Sequence, residues 1–209
     1  MKNYRLYLIR HGITEGNLCG KYIGGGTNEP LCAEGIKRLH ELQDKYTYPQ
    51  VNTVFASPLD RAVQTAEILF PNAKNKLQLE ILKENNFGEF EGKTLEQLSQ
   101  TESFAKWLTP KEHYTPVGGE AAVDFNARCK DALMKMFEYM MKSGIDEAAC
   151  VTHGGVIMSM LAQAALPKRS GEQWMADSGC GYSVMCSPEM WMRDKLCEAK
   201  DVLPFGYLD

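Results

Sequence analysis

Two arginines and two histidines lie at or just beyond the ends of three short apolar runs rich in strand-forming residues. They are Arg10 and His11 after residues 4–9, Arg61 after residues 51–56, and His153 after residues 148–152. A guanidinium group matches the oxygens of a phosphate with two parallel hydrogen bonds. Each of these residues has an ordinary structural explanation when taken singly. Their occurrence at three strand ends together favours a site for a phosphate group.

Glycines accompany these side chains. Gly12, Gly154 and Gly155 directly follow the two histidines. Because glycine has no Cβ, backbone N–H groups can approach an anion closely there, and the N-terminus of a following helix favours negative charge. Asn17 adds a side-chain amide. These residue types predict a phosphate pocket, whereas their spacing alone does not decide whether the pocket is catalytic.

The elements that must position these side chains alternate between strands and helices. Strands are predicted at 4–9, 51–56, 77–82 and 148–152, helices at 34–45, 57–69, 123–141 and 154–165, and a hairpin at 182–186 and 190–196. This order predicts a three-layer α/β fold with a mostly parallel central sheet flanked by helices. Ligands of such sheets bind outside the carboxyl ends of the strands, so the polar side chains are expected to converge there.

One irregular stretch, about 85–118, interrupts the alternation and predicts a small lid insertion within a single domain, 1–209. It contains Trp107, His113 and Tyr114. These aromatic side chains either contact a substrate or only pack the lid, and the sequence leaves both open.

Composition and charge exclude several classes of partner. The net charge of -4 disfavours nucleic acid, whose phosphates are bound by clustered Lys and Arg. The sequence contains no run of 18 apolar residues, so no membrane span is predicted, and no signal-peptide-like stretch precedes Arg10. The seven cysteines form no metal-like cluster and are typical of reduced thiols, which predicts a cytoplasmic protein. The oligomeric state is not predicted, although the terminal hairpin offers a sheet edge for a dimer.

Five segments of the sequence, in order, resemble the histidine phosphatase superfamily, the phosphoglycerate mutase-like enzymes. They are 10–17 (RHGITEGN), 57–66 (SPLDRAVQTA), 82–92 (LKENNFGEFEG), 116–120 (PVGGE) and 151–157 (VTHGGVI). Within that family, the compact length and short lid look similar to small phosphatases such as the α-ribazole phosphatases. The resemblance spans residues 4 to about 160.

The resemblance implies a role for each matched residue. His11 would be the nucleophile that becomes phosphohistidine, and Glu84 would protonate the leaving alcohol and then activate water. The transferring phosphoryl group would be held by Arg10, Arg61 and His153, with accessory contacts from Thr14 and Asn17. The resemblance also implies neither a metal nor an organic cofactor, and a small phosphorylated metabolite as substrate.

Physical chemistry is consistent with these implied roles. Two arginine charges offset the roughly two negative charges of a phosphate monoester, and they disfavour the imidazolium form of His11, which keeps a nucleophile available. Glu84 must be protonated in the first step, which partial burial would favour. Glu80, Glu89 and Glu91 lie close by in the sequence and are weaker alternatives for the acid.

Three functions compete. A phosphomonoester hydrolase is favoured over a phosphoglycerate mutase because the only cations in the lid are Lys93, Lys106 and Lys111, too few to hold a carboxylate and a bisphosphate. A non-catalytic phosphate-binding module is the third. Asn28 and Met158 depart from residues common in the family, an aspartate and a polar residue respectively. These departures concern substrate identity, and both α-ribazole phosphate and sugar phosphates remain open.

Overall fold

The computed structural model describes residues 2–109 and 114–207. In the first half of the chain the elements are β1 (Tyr4–Arg10), α1 (Glu15–Leu18), α2 (Ala33–Lys45), β2 (Thr53–Ala56), α3 (Asp60–Leu69) and β3 (Asn75–Gln78). Two short helices, α4 (Leu95–Ser99) and α5 (Glu102–Trp107), follow in the lid. His113 and Lys111, both considered above, lie outside the described residues.

The second half of the chain returns to long elements. They are α6 (Ala122–Ser143), β4 (Glu147–Thr152), α7 (Gly154–Ala164), β5 (Ala165–Leu166), β6 (Gly181–Cys186), α8 (Pro188–Asp194) and β7 (Cys197–Leu203). Helix α6 ends at Gly144, whose left-handed backbone (φ 67°) lets its N–H close the last turn on the Met140 carbonyl.

The strands form one seven-stranded sheet in the order β3-β2-β4-β1-β6-β7-β5. Strands β3, β2, β4 and β1 are parallel neighbours, and β6 runs antiparallel to both β1 and β7. The predicted mostly parallel α/β architecture is therefore confirmed. The carboxyl ends of β1, β2 and β4 meet at one edge, since Arg10 is paired with Thr152 and Ala56 with Val151.

Helices cover both faces of the sheet. Alternating side chains of β1 explain this, because Leu6 and Leu8 pack under α6 and α7 while Tyr7 and Ile9 pack under α2 and α3. Each face has its own apolar cluster, and the side chains of β1 that contribute to them are almost entirely buried. The sheet between two helical layers is what holds the strand ends in a fixed arrangement.

Two strand predictions are wrong in their bounds or type. Strand β3 lies at 75–78, not 77–82, because the chain turns at Leu79 into a short 3₁₀ helix, Glu80–Leu82. Residues 190–196 are mostly helix α8, and the antiparallel partner of β6 is β7. Ser187 caps α8 with its hydroxyl on the Met190 N–H, and a proline occupies the first turn. That Ser-Pro-Glu sequence is a helix-start signal.

The lid has a small apolar cluster of its own. Phe90, Leu98 and Phe104 are buried together, with Trp107 and Tyr114 packed against them. Trp107 stacks on Phe104 with ring centroids 5.6 Å apart. The lid aromatics in the described part thus pack the lid, and a contact of theirs with substrate stays a prediction.

No helix among the described residues has the length and apolar character needed to cross a membrane.

Candidate active site

The candidate site lies where β1, β2 and β4 end. Backbone hydrogen bonds join the three strand ends directly, from His11 N–H to the Thr152 carbonyl (2.9 Å) and from Ser57 N–H to the Val151 carbonyl (3.0 Å). The first residues beyond these strands are therefore held at fixed separations. The structure thus brings together His11 and His153, as the sequence predicts.

His11 is a buried, neutral histidine with a defined tautomer. Its Nδ1 lies 2.6 Å from the Gly12 carbonyl oxygen, which can only accept, so Nδ1 carries the proton and Nε2 keeps its lone pair. Burial, reinforced by the charge of Arg61, lowers the pKa of His11 to about 3, against the opposing effect of the Gly12 hydrogen bond. The Gly12 N–H in turn donates to Thr65 Oγ1 at 2.9 Å, which fixes the carbonyl that orients the ring.

His153 is fully buried beside His11. The two ring centroids are 5.1 Å apart, and His153 Nε2 lies 2.8 Å from Ser57 Oγ. Its Nδ1 is buried and has no hydrogen-bond partner among the described residues. Burial, with the nearby His11 and Arg61, lowers the pKa of His153 well below its usual value. A buried nitrogen without a partner indicates that the site is built for a group from outside the chain.

Both arginines also have a buried nitrogen that lacks a hydrogen-bond partner among the described residues. Arg10 Nη1 donates to the Ala176 carbonyl at 2.9 Å, and Arg61 donates from Nη1 to Thr27 and from Nη2 to Gly24, at 2.8 and 3.0 Å. The Nε atoms of both are buried and have no partner within the described part of the chain. Burial lowers the pKa of Arg61 against the nearby carboxylates, without removing its charge. Two guanidinium groups that each keep a buried, unused Nε donor are suited to an anion.

Glu91 fixes the loop that holds Arg61. Its carboxylate accepts from the backbone N–H groups of Gly24, Gly26 and Phe87 at 2.9–3.3 Å and from the Thr27 hydroxyl. The same loop supplies both carbonyls on Arg61. Glu91 is therefore a loop anchor, and sequence reasoning did not find this role.

Glu84 is buried at the N-terminus of α7. Its Oε1 accepts from the Asn85 N–H and its Oε2 from the Gly155 N–H, both at 2.9 Å. Burial raises the pKa of Glu84, although these hydrogen bonds and the charges of Arg61 and Arg10 oppose the rise. A Cβ on residue 155 would lie 2.6 Å from Glu84 Oε1, so glycine is required there to leave room for the carboxyl group.

The other glutamates have structural partners. Glu80 is exposed and pairs with Lys83 at 2.8 Å, while Glu89 accepts from the Tyr114 hydroxyl at 2.9 Å. Glu91 is committed to its loop. Among the four glutamates of this stretch, only Glu84 is buried beside the arginines, which supports its selection as the acid.

The predicted accessory phosphate contacts have additional partners. Thr14 and Asn17 form a capping box that starts α1, with Thr14 Oγ1 on the Asn17 N–H and Asn17 Oδ1 on the Thr14 N–H. The Gly155 N–H is donated to Glu84, and a Cβ on Gly154 would stand 3.4 Å from Arg10 Nε. Direct contacts of these four residues with phosphate stay predictions.

Arg128 on α6 supports the backbone that carries Glu84, a role sequence reasoning missed. Its Nη1 donates to the carbonyls of Ile81 and Lys83 at 2.9 and 2.7 Å, and its Nη2 lies 3.4 Å from the carbonyl of Glu84. Glu120 holds the same guanidinium with both carboxylate oxygens, at 2.8 and 2.7 Å. The Glu120 carboxylate in the PVGGE segment was the only sequence signal pointing to such a partner.

Comparison with known families decides the class of this protein. The family model of the histidine phosphatase superfamily (branch 1) matches residues 6–195. The chain belongs to branch 1 of the histidine phosphatase superfamily. It is therefore an enzyme of the phosphomonoesterase and mutase type, and the resemblance noted in its sequence is confirmed. Among its described residues, no group of three or more His, Cys, Asp or Glu side chains could hold a metal ion.

Several named relatives of this chain are phosphatases. It is 29% identical over 186 residues to adenosylcobalamin/alpha-ribazole phosphatase of Escherichia coli K12, covering 86% of this chain and 89% of that protein. It is 32% identical over 154 residues to fructose-2,6-bisphosphatase TIGAR of Xenopus tropicalis, covering 71% and 54% respectively. The crystal structure of phosphoglycerate mutase from Bacillus anthracis superposes with a TM-score of 0.75 over 96% of this chain and 92% of its own, at 20% identity. The last comparison shows a shared fold alone.

The neutral state of His11 predicts a specific pH dependence of stability. Since its folded pKa, about 3, lies below its unfolded value near 6.5, the unfolded state takes up the proton first and stability falls as the pH drops below about 6.5. Between pH 7 and 5 the parent should lose about 2 kcal/mol more free energy of unfolding than His11→Gln. Urea unfolding of both proteins at each pH measures this difference. His153 and Glu84 titrate in both, so parallel pH curves would contradict the assignment of His11 as neutral.

Replacing Arg128 should disturb Glu84 without touching the phosphate pocket. Arg128→Ala removes the donors that hold residues 81–84 and leaves Glu120 unpaired, so unfolding free energy should fall by about 1–3 kcal/mol. Turnover of alkyl phosphates, which need the acid, should fall about tenfold or more beyond any loss with p-nitrophenyl phosphate. Lys130→Ala, an exposed change on the same helix, is the control. If turnover of both substrates fell by the same factor, the effect of Arg128 would be on stability and not on the positioning of Glu84.

Proposed function

We propose that this protein is a metal-independent phosphomonoesterase that hydrolyses a small phosphorylated metabolite through a phosphohistidine formed on His11. The observation that carries the proposal is the hydrogen bond from His11 Nδ1 to the Gly12 carbonyl. It presents a neutral Nε2 in a pocket that also holds two arginines whose buried Nε donors have no partner among the described residues. A nucleophile and a positive pocket are the two requirements for attack on a phosphate monoester.

In the first step His11 Nε2 attacks phosphorus and the P–O bond to the alcohol breaks. The leaving oxygen takes the proton of Glu84, so the alcohol departs neutral and Glu84 becomes a carboxylate. The raised pKa of Glu84 favours the protonated form that this step requires. Arg10, Arg61 and His153 contact the three non-bridging oxygens, and the two arginines offset the charge that the transferring group carries.

In the second step a water molecule attacks phosphorus on the opposite side from Nε2. The Glu84 carboxylate takes a proton from that water, the P–N bond breaks, and inorganic phosphate and neutral His11 are regenerated. The Asn85 and Gly155 N–H groups hold Glu84 in one place through both proton transfers. The same carboxyl group therefore serves as acid and then as base.

The lid and the cysteines support the finer parts of the proposal. Of the lysines in the lid, Lys106 pairs with Glu102 at 2.7 Å, so its charge is partly neutralised within the lid, which favours water as the acceptor. All seven cysteines are free thiols and five are buried, as expected of a reducing compartment. We therefore assign the protein to the cytoplasm.

Hydrolysis of p-nitrophenyl phosphate in the presence of EDTA tests the proposal. The parent protein should turn over and His11→Ala should lose at least about 10³-fold in kcat, because no other described group stands in the nucleophile's position. Acid-quenched parent protein given ³²P-labelled ester should carry label on histidine. His40→Ala, a change of an exposed histidine on α2, is the matched control.

Several results would contradict or redirect this proposal. Turnover that survives in His11→Ala, or that EDTA abolishes, would contradict it. Absence of turnover in the parent, with phosphohistidine formed only from a bisphosphate primer, would indicate a mutase. Phosphate binding with neither turnover nor label would indicate a binding module.

The role of Glu84 predicts a dependence on the leaving group. Glu84→Gln should lower kcat about 10²–10⁴-fold for an alkyl phosphate, whose alkoxide needs a proton, and far less for p-nitrophenyl phosphate. Glutamine keeps the shape and can still accept from Gly155. The ratio of the two kcat values in parent and variant is the measurement, with Glu89→Gln as control. An unchanged ratio would remove Glu84 from the proton transfer.

A further inference from the structure

A cavity of about 560 Å³ begins at Glu84 and Gly155 and extends between α6 and α7. If Glu84 protonates the leaving oxygen, as proposed above, the part of the substrate beyond that oxygen must lie next to Glu84. The cavity is therefore the place for the leaving group. The residues that line the cavity therefore select the substrate. This inference rests on the proposed function.

The walls of the cavity are apolar and aromatic. Phe125, Met158 and Ala162 come from the two helices, and Phe87 and Trp107 come from the lid side. Among the described residues that line it there is no lysine or arginine, and Glu84 is the one carboxyl group. A second phosphate or a carboxylate placed here would lose water without gaining a counterion, which is strongly unfavourable.

The cations nearest in sequence to the α7 end of the cavity have other partners. Lys168 donates from Nζ to the Gln163 carbonyl at 3.0 Å, and the Arg169 guanidinium lies 4.7 Å from the centre of the Trp174 ring. Both residues are exposed to solvent. Their contacts lie outside the cavity lining, so neither side chain places a positive charge in the cavity.

One edge of the cavity is polar and held in a defined orientation. Ser159 Oγ donates to Asn126 Oδ1 at 2.7 Å, and Gln163 Nε2 donates to Ser159 Oγ and to the Asn126 carbonyl at 3.1 and 2.9 Å. Ser159 thus accepts from Gln163 and donates to Asn126, and these bonds orient both amides. The Asn126 NH₂ and the Gln163 Oε1 then have no partner within the described residues, and they form one donor and one acceptor.

We propose that this cavity binds an uncharged leaving group that carries an aromatic ring with hydrogen-bonding atoms on its edge. The ring would lie against the aromatic and methionine walls, where stacking and dispersion are favourable. Its edge would meet the Asn126 NH₂ and the Gln163 Oε1. Bisphosphates and phosphorylated carboxylic acids are rejected because no described residue lining the cavity neutralises their second charge.

Matched benzyl phosphates test this specificity. Benzyl phosphate and 4-carboxybenzyl phosphate differ by one charge on the same ring, and the parent should show a kcat/KM about tenfold or more higher for the uncharged ester. Met158→Lys, which places a cation on α7 in the cavity, should reverse or abolish that preference. Met158→Leu, which conserves volume, should keep it. Ala162→Lys is a second cationic variant should Met158→Lys unfold on a thermal melt.

The polar edge has its own comparison. 4-Carbamoylbenzyl phosphate adds one donor and one acceptor without charge, and the parent should favour it over benzyl phosphate about threefold to tenfold. Gln163→Met keeps length but removes the acceptor and the Nε2 donor that orients Ser159 and Asn126, so the ratio of kcat/KM for the two esters should fall to about one.

The outcomes separate the two proposals. If the parent does not hydrolyse p-nitrophenyl phosphate, the proposed function fails and this inference fails with it. Suppose instead that p-nitrophenyl phosphate is hydrolysed and that 4-carboxybenzyl phosphate reacts as well as or better than benzyl phosphate. The proposal of an uncharged leaving group is then overturned, while the proposed function stands. A Met158→Lys protein that folds and keeps the parent's preference would likewise show that the cavity is not where the leaving group lies.

Discussion

The complete burial of the Arg61 guanidinium is the constraint on which the rest of the site depends. A charge taken out of water must be solvated by the protein. Here that solvation comes from the carbonyls of Gly24 and Thr27, in a loop that Glu91 holds through its own carboxylate. One donor of the guanidinium stays buried and unused. The loop therefore holds the charged guanidinium in place and leaves one of its donors available to an anion.

Burial also acts on His11 and Glu84, the nucleophile and the acid of the proposed chemistry. Burial disfavours the charged form of every ionisable group, so it lowers the pKa of His11 and raises that of Glu84. The nucleophile is thereby neutral and the acid inclined to hold its proton. The charges of Arg61 and Arg10 reinforce the first effect and oppose the second, so they limit the rise in the pKa of Glu84 and favour the proton release that the proposed mechanism requires.

Support for Glu84 comes from parts of the chain far apart in sequence. Arg128 on α6 gathers the carbonyls of residues 81–84, and Gly155 at the start of α7 both donates to the carboxyl and leaves space for it. The same two helices form the walls of the leaving-group cavity. Acid and cavity are thus positioned by one pair of elements, so a change in helix packing would affect proton transfer and substrate choice together.

The sequence by itself determined the α/β alternation, the residues at the strand ends and the family, because these depend on local periodicity and on short motifs. It failed at 77–82 and 190–196, where a turn and a proline-initiated helix overrode strand-like composition. Only the tertiary structure decided the anchoring by Glu91 and Arg128 and the lack of lysine and arginine among the described residues that line the cavity. These features arise from contacts between residues distant in the chain, whereas the tautomer of His11 depends on its neighbour Gly12 and on the burial that keeps the ring neutral. Local sequence does not show which groups will be buried together.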